Sequence, residues 1–164
     1  MPRITPHFGT ADLCDQHGDT LQVSTPVFKH FGGHSRFCGP ISTLRIFEDN
    51  GLVRQRLESA GEGRVLVIDG AGSLRFALLG DQLAELAVKN DWAGILVHGC
   101  IRDSELISSL PIGVMALGTH PRKTVKRNQG EIDVTVGFSG VSYAPNQYLY
   151  ADRDGIVVAV DALL

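Results

Sequence analysis

Two short, fully apolar segments on either side of an amphipathic one constrain the fold more than any other feature of this chain. Residues 65–68 (Val-Leu-Val-Ile) and 94–97 (Gly-Ile-Leu-Val) have the continuous hydrophobicity of strands that are covered on both faces. Between them, Leu83, Leu86 and Ala87 recur at helical spacing. We therefore predict a strand, a crossover helix and a second strand, which implies a parallel pair.

Helical and strand patterns continue on both sides of this unit without a linker or an internal repeat. We predict a helix over residues 10–16, with Thr10 as its N-cap, and a helix that starts at Asp49-Asn50 and runs to Ala60. Extended segments are predicted within residues 27–47, 134–143, 148–150 and 156–160. The 164 residues (17.7 kDa) are expected to form one mixed α/β domain, residues 1–164, with a substantial β component.

Composition excludes several classes of protein. A net charge of −3 and a pI near 6.0 argue against direct nucleic-acid binding. No apolar run reaches the ~18 residues of a membrane span, and no secretory signal is visible. Three widely spaced cysteines indicate neither a metal site nor a disulfide framework, so a cytoplasmic location is expected. Residues 70–75 lack the third glycine of a dinucleotide-binding loop, and no P-loop is present.

The start of the predicted crossover helix is the first candidate binding site. Gly80, Asp81, Gln82 and Leu83 would form its first turn, where backbone N–H groups have no intrahelical partner and the helix dipole favours an anion. The glycine would let a ligand approach the backbone closely. From these residues alone, a carboxylate or phosphate site and simple capping of the helix by Asp81 both stay open.

Arg102 and Asp103, just after the second strand of the unit, are the second candidate site. Arg102 can donate two parallel hydrogen bonds to a carboxylate, and Asp103 can ligate a hard cation such as Mg²⁺ or Mn²⁺. A surface ion pair is the alternative interpretation. Because ligands bind at the carboxyl ends of strands in open α/β sheets, we expect these residues and the turn at Gly80 to converge.

A basic cluster follows Pro121 and consists of Arg122, Lys123, Lys126 and Arg127. Such a run is typical of a solvated loop. Its functional interpretations are an anion subsite or a contact with an acidic partner, while the acidic net charge makes nucleic acid the weakest of them.

Short motifs in a fixed order extend over roughly residues 8–160. They are Phe31-Gly32-Gly33, Gly39-Pro40-Ile41-Ser42-Thr43, Phe47-Glu48-Asp49-Asn50, Val65-Leu66-Val67-Ile68-Asp69-Gly70, Gly80-Asp81, Arg102-Asp103, Tyr150-Ala151-Asp152 and Gly155-Ile156-Val157. Together they resemble the RraA-like family. This family includes metal-dependent 4-hydroxy-4-methyl-2-oxoglutarate aldolases and the protein regulator of ribonuclease E activity.

The resemblance implies a layered ββα sandwich of the swivelling-domain type, with a mixed sheet and flanking helices. It also implies a homotrimer, or a dimer of such trimers, with the active site at the subunit boundary. In the aldolases, the residues matching Gly80, Asp81, Gln82 and Leu83 hold the substrate carboxylate through backbone amides. The match to Arg102 contacts the substrate, and the match to Asp103 ligates the divalent metal.

The activity implied by the resemblance is metal-dependent cleavage of 4-hydroxy-4-methyl-2-oxoglutarate and related 4-hydroxy-2-oxo acids to pyruvate and an oxo acid. The metal, Mg²⁺ or Mn²⁺, would stabilise a pyruvate enolate. Oxaloacetate decarboxylation would be a side activity because it forms the same enolate. The alternative is a non-catalytic protein that binds and regulates ribonuclease E.

Two positions of this sequence bear on that choice. The regulator has no aspartate at the position of Asp103, so Asp103 favours the enzyme. Leu106 departs from the aldolase pattern, because active members usually carry an acidic residue there that orients metal-bound water. Glu105 lies one residue earlier, which on a helix is a rotation of about 100°.

Overall fold

Short helices and strands alternate along residues 3–164, the part of the chain that the computed structural model describes. The α-helices are α1 (Thr10–His17), α2 (Gly51–Leu57), α3 (Asp81–Lys89) and α4 (Ser104–Ile107), and a 3₁₀ turn at Gly18–Thr20 follows α1. The strands are β1 (Gln22–Val23), β2 (Lys29–His30), β3 (Phe37–Arg45), β4 (Val65–Asp69), β5 (Ala77–Leu79), β6 (Gly94–Ile101), β7 (Gly113–Thr119), β8 (Glu131–Ile132), β9 (Val136–Phe138), β10 (Val141–Tyr143), β11 (Tyr148–Ala151) and β12 (Ile156–Ala159). In this described range no helix is long and apolar enough to cross a bilayer.

Four parallel strands, in the order β3-β4-β6-β7, form the centre of the main sheet. The predicted strand–helix–strand unit is confirmed, because β4 and β6 pair in parallel from Val65 opposite Gly94 to Asp69 opposite His98, with α3 between them in the chain. Antiparallel strands extend the sheet on both sides: β11, β12 and β1 beyond β3, and β2 beyond β7. The mixed α/β architecture is therefore confirmed.

Apolar layers cover both faces of the central strands because their side chains point alternately to the two sides. On one face, buried residues of β4 and β6 such as Leu66 and Ile95 pack with Leu57 of α2 and Leu83 of α3. On the other face, the alternate residues of these strands pack with the β9–β10 hairpin and with β11 and β12. Burial on both faces explains the uninterrupted hydrophobicity of residues 65–68.

The Phe37 ring fixes the spacing at the amino-terminal end of the parallel strands. A Cβ atom added to Gly94 on β6 or to Gly113 on β7 would overlap this buried ring. Both glycines therefore leave the space that the ring fills, and β3 is tied to two strands beyond its immediate neighbour β4.

The predicted helix ends differ in part from the structure. Helix α1 starts where expected, but Gly9 is its N-cap and Thr10 is its first residue, so the assignment of Thr10 as N-cap was wrong. Thr10 instead donates two hydrogen bonds to Asp152, from its backbone N–H (2.7 Å) and from its hydroxyl (2.6 Å). Helix α2 ends at Leu57, before the predicted Ala60. Strands β1, β5, β7 and β8 were not predicted.

Asp152 lowers the free energy of the folded state by joining α1 to the β11–β12 turn. Its side chain is only 7% exposed and also accepts a hydrogen bond from the Asp154 amide at 2.9 Å. Burial acts to raise the pKa of Asp152, but the hydrogen bonds from Thr10 and from the turn outweigh it and lower the pKa below the usual value.

We expect Asp152→Asn to lower the free energy of unfolding by about 2–4 kcal/mol at pH 7, because charge-assisted hydrogen bonds are lost and the new NH₂ group faces N–H donors. A carboxylate with a lowered folded-state pKa stabilises fully above its unfolded pKa of about 3.9, and this contribution is lost as the pH falls through the folded pKa. Urea unfolding at several pH values measures both effects. The exposed Asp154→Asn is the matched control, and an equal Asp152→Asn penalty at pH 3 and pH 7 would contradict this account.

Candidate functional site

Strand β5 brings the start of α3 and the end of β6 together. It pairs in parallel with the end of β6, with Ala77 opposite Cys100 and Leu79 opposite Ile101, and the Arg102 N–H donates to the Leu79 carbonyl at 2.9 Å. We expected convergence only because two strands share an edge. The structure instead places a strand that we did not predict between β4 and α3, and the buried apolar triplet 77–79 was its only sequence signal.

Gly80 is the N-cap of α3 and lies in extended backbone (φ −124°, ψ −173°). A Cβ atom at this position would lie 2.9 Å from Oδ2 of Asp103 and 3.5 Å from Nε of Arg102. The glycine is thus needed for the close approach of the aspartate. The N-cap Gly80 has no side chain and the Asp81 side chain does not cap α3, so the alternative interpretation of this turn is not what the structure contains.

The Asp103 carboxylate lies against the first turn of α3. Its Oδ2 atom accepts a hydrogen bond from the Asp81 amide at 3.1 Å, and Nε of Arg102 is 3.9 Å from the same oxygen. Asp103 itself has left-handed backbone (φ 56°, ψ 39°), a conformation that aspartate tolerates better than most residues. The first amide of α3 is therefore already engaged, whereas the Gln82 and Leu83 amides have no protein acceptor within residues 3–164.

All six residues predicted for the site line one cavity of about 140 Å³: Gly80, Asp81, Gln82, Leu83, Arg102 and Asp103. Sequence reasoning missed Asn50 and Arg54, which reach the same cavity from the start of α2. Lys123 and Lys126 of the basic cluster also line it, whereas Arg122 and Arg127 do not. Four cationic side chains and two carboxylates therefore surround a space large enough for a small organic acid.

The basic loop is held in place by buried polar groups at the start of α2. The Asn50 side-chain oxygen accepts a hydrogen bond from the Thr124 hydroxyl at 2.8 Å. The same hydroxyl accepts a hydrogen bond from the backbone N–H of Asn50 at 3.2 Å. The Asp49 carboxylate accepts the amides of Arg127 and Gln129, each at 3.0 Å. Burial acts to raise the pKa of Asp49, but these backbone donors outweigh it and lower the pKa.

Leu106 and Glu105, on the short helix α4, do not line the cavity. The Leu106 side chain is 56% exposed, and Glu105 is also exposed. Among the described residues, no group of three His, Cys, Asp or Glu side chains is arranged to hold a metal ion. Any cation at this site would therefore rely on Asp103, with Asp81 as the other carboxylate of the cavity.

A wider groove of about 790 Å³ lies at the carboxyl ends of β3 and β4. Phe47 and Val125 line it and are 61% and 69% exposed, so the groove presents two large apolar side chains at the surface. Glu48, on the same groove, is held by an ion pair with Arg75 and by the Ser73 hydroxyl. The groove and the 140 Å³ cavity are thus lined by different residues of the same loops.

Comparison with known proteins gives consistent matches along the chain. The profile of the RraA-like family, described as Aldolase/RraA, matches residues 10–158. A protein of Aromatoleum aromaticum named "Putative 4-hydroxy-4-methyl-2-oxoglutarate aldolase" is 53% identical over 157 residues, which is 96% of this chain and 99% of that protein.

Two solved structures match with a TM-score of 0.93. One, from Geobacillus kaustophilus HTA426, is described as an S-adenosylmethionine:2-dimethylmenaquinone methyltransferase, with 53% identity and coverage of 95% of this chain and 97% of that chain. The other is the RNA-processing inhibitor RraA from Thermus thermophilus, with 45% identity and coverage of 97% and 96%. With a family profile that spans most of its length and relatives of this similarity, the chain belongs to the RraA-like family, Aldolase/RraA.

Proposed function

We propose that the protein is a cytoplasmic, divalent-metal-dependent carbon–carbon lyase that cleaves 4-hydroxy-4-methyl-2-oxoglutarate and related 4-hydroxy-2-oxo acids to pyruvate and an oxo acid. The observation that carries this proposal is the position of the Asp103 carboxylate, against the start of α3 and beside Arg102 in one small cavity. The name of the Aromatoleum relative supports the same activity.

The substrate's carboxylate would bind between α3 and Arg102. The Gln82 and Leu83 amides point from a helix start whose dipole favours an anion, and Arg102 can donate two parallel hydrogen bonds to one carboxylate. These three groups would fix the position and orientation of the 2-oxo acid portion of the substrate. Binding in one orientation lowers the entropic part of the activation barrier.

The residues present fit a hard cation such as Mg²⁺ or Mn²⁺. Asp103 is an exposed carboxylate with one oxygen held by the Asp81 amide, and no other protein donor in residues 3–164 binds its second oxygen. Mg²⁺ is commonly held by one or two carboxylates plus substrate oxygens and waters, so a lone aspartate suffices. When bound, the cation would act as a Lewis acid on the 2-oxo group.

In the proposed reaction the 4-hydroxyl gives its proton to water, and the 4-oxygen becomes the carbonyl of the leaving oxo acid as the C3–C4 bond breaks. The electron pair of that bond forms a pyruvate enolate, and water returns a proton to C3. Arg102 and the start of α3 would stabilise the negative charge of the 2-oxo acid portion in every step of the reaction, because both are fixed positive groups in a confined cavity. Loss of CO₂ from oxaloacetate leaves the same enolate, so oxaloacetate decarboxylation is proposed as a side activity.

A second candidate function is regulation of an RNA-degrading enzyme such as ribonuclease E, without catalysis. The observation that favours it is the match to the RNA-processing inhibitor of Thermus thermophilus. A pyruvate-release assay separates the two functions. Turnover with Mg²⁺ that stops with EDTA supports the lyase, whereas no turnover together with binding to purified ribonuclease E supports the regulator.

We expect Asp103→Asn to abolish pyruvate release from both 4-hydroxy-4-methyl-2-oxoglutarate and oxaloacetate, with a loss of at least about 1,000-fold in kcat, because an amide cannot replace the carboxylate as ligand of a hard cation. EDTA should abolish wild-type activity equally. Glu85→Gln, which removes one charge from the exposed side of α3, is the control and should retain activity. Wild-type turnover by Asp103→Asn would refute the proposed role of this residue.

We expect Gly80→Ala to lower kcat/KM by at least about 10-fold while the free energy of unfolding stays within about 1 kcal/mol. The backbone at Gly80 is extended and accepts alanine, but the new methyl group would displace the Asp103 carboxylate. Steady-state kinetics and urea unfolding of the same preparation measure both quantities. Full activity in Gly80→Ala would show that the close approach of Asp103 has no part in the reaction.

We further propose that the protein is a homotrimer, or a dimer of trimers. The exposed Phe47 and Val125 on the wide groove support an interface there, since apolar side chains that share one exposed surface are typical of protein–protein contacts. Light scattering coupled to gel filtration should give three or six times the 17.7 kDa chain mass. Phe47→Asp should shift this mass downward, and a monomeric wild-type protein would exclude the assembly.

A further inference from the structure

Thr124, in the loop between β7 and β8, lies beside the cavity without lining it. Its side chain is only 4% exposed, and the residues that line the cavity do not include it. Its hydroxyl donates to the Asn50 side-chain oxygen and accepts the Asn50 backbone N–H. One buried hydroxyl thus satisfies two polar groups of a residue that does line the cavity.

Asn50 continues this connection to β5. Its Nδ2 atom donates to the Leu78 carbonyl at 3.1 Å, and the residue is only 8% exposed. The next carbonyl of β5 accepts the Arg102 N–H, and the strand then leads into Gly80, the N-cap of α3. The hydrogen bonds of Thr124 and Asn50 therefore join the loop to the strand that places the start of α3 beside Arg102.

The backbone on both sides of this pair is held by other contacts. Gly51 follows Asn50, and a Cβ atom at Gly51 would overlap the Asn128 side chain of the same loop. The Asp49 carboxylate accepts the Gly51 amide at 3.0 Å, in addition to two amides of the loop. Loss of the hydroxyl at position 124 therefore favours rotation of the Asn50 side chain over movement of the loop.

We propose that Thr124 is a positioning residue for the proposed reaction, which acts through Asn50 to hold β5 and the start of α3 in place beside Arg102 and Asp103. The inference rests on the proposed function and adds a residue that would touch neither the substrate nor the cation. Its role differs from general stabilisation of the fold, because it concerns the orientation of the groups that would bind the 2-oxo acid.

The physical reason is the cost of unsatisfied polar groups in a buried network. Without the hydroxyl, the Asn50 side-chain oxygen loses its donor and the Asn50 N–H loses its acceptor, and both losses are costly away from water. The side chain would then turn towards water in the cavity and release the Leu78 carbonyl. The Gln82 and Leu83 amides, at the start of α3, would no longer be fixed relative to Arg102.

The test compares Thr124→Val, which keeps the shape of the side chain but removes the hydroxyl, with Thr124→Ser, which keeps the hydroxyl. Pyruvate, which has no 4-hydroxyl and no bond to cleave, is titrated calorimetrically in the presence of Mg²⁺. We expect Thr124→Val to bind pyruvate at least about 5-fold more weakly and Thr124→Ser to stay within about 2-fold of the wild type. Stoichiometry should not change, because unfolded protein lowers the number of sites, whereas misplaced groups lower the affinity.

Thr43→Val is the matched control. Thr43 is fully buried on β3, does not line the cavity, and donates its hydroxyl to the Val134 carbonyl at 2.6 Å. Both valine variants should unfold at lower urea concentration than the wild type, but Thr43→Val should keep wild-type affinity for pyruvate. Thr124→Ala removes the same hydroxyl with a smaller side chain and gives the same test if Thr124→Val does not fold.

Turnover of 4-hydroxy-4-methyl-2-oxoglutarate is the second measurement, and kcat/KM should fall at least about 10-fold in Thr124→Val alone. Wild-type pyruvate affinity in Thr124→Val, or an equal loss in Thr124→Ser or Thr43→Val, overturns the positioning role even if wild-type turnover is normal. Pyruvate binding that depends on the Thr124 hydroxyl, in a protein without turnover, upholds the positioning role and overturns the proposed reaction. Absence of pyruvate binding by the wild type overturns both.

Discussion

The pairing of β5 with the end of β6 is the contact on which the site depends. The three residues of β5 lie between β4 and α3 in the chain. They align the start of α3 with Arg102 and Asp103, more than twenty positions later in the chain. The same strand also anchors the basic loop through Ala77. One short, fully buried strand thus positions a helix start, a guanidinium, a carboxylate and two lysines with respect to each other.

The sequence is sufficient to predict the β4–α3–β6 unit at the centre of the fold and six residues of the cavity. Residues 65–68 and 94–97 are buried on both faces, so their hydrophobicity is continuous and the crossover between them is readable. Strand β5 has only three residues, which are too few to show a pattern of hydrophobicity typical of a strand. Strand β7 also carries a buried apolar run, but it was missed because no helical pattern as clear as that of α3 precedes it.

Other parts of the site follow from contacts between distant segments. Asn50 and Arg54 reach the cavity only because α2 packs beside α3. Asn50 belongs to one of the short motifs, but nothing in the local pattern marks either residue as part of a binding site. Thr10 has the residue type and position of an N-cap, yet its polar atoms bind Asp152 at the other end of the chain. Local pattern describes what a segment can form, whereas the partner that satisfies each polar group is set by tertiary structure.

The two ends of the chain are joined in one sheet, which bears on how the protein is made. Strand β1 pairs with β12, β11 separates β12 from β3, and α1 is tied to Asp152. Strand β1 and helix α1 therefore cannot reach their final contacts until β11, β12 and the turn between them have been synthesised. Until then the emerging polypeptide presents an unpaired β3 edge, a surface on which chaperones can act.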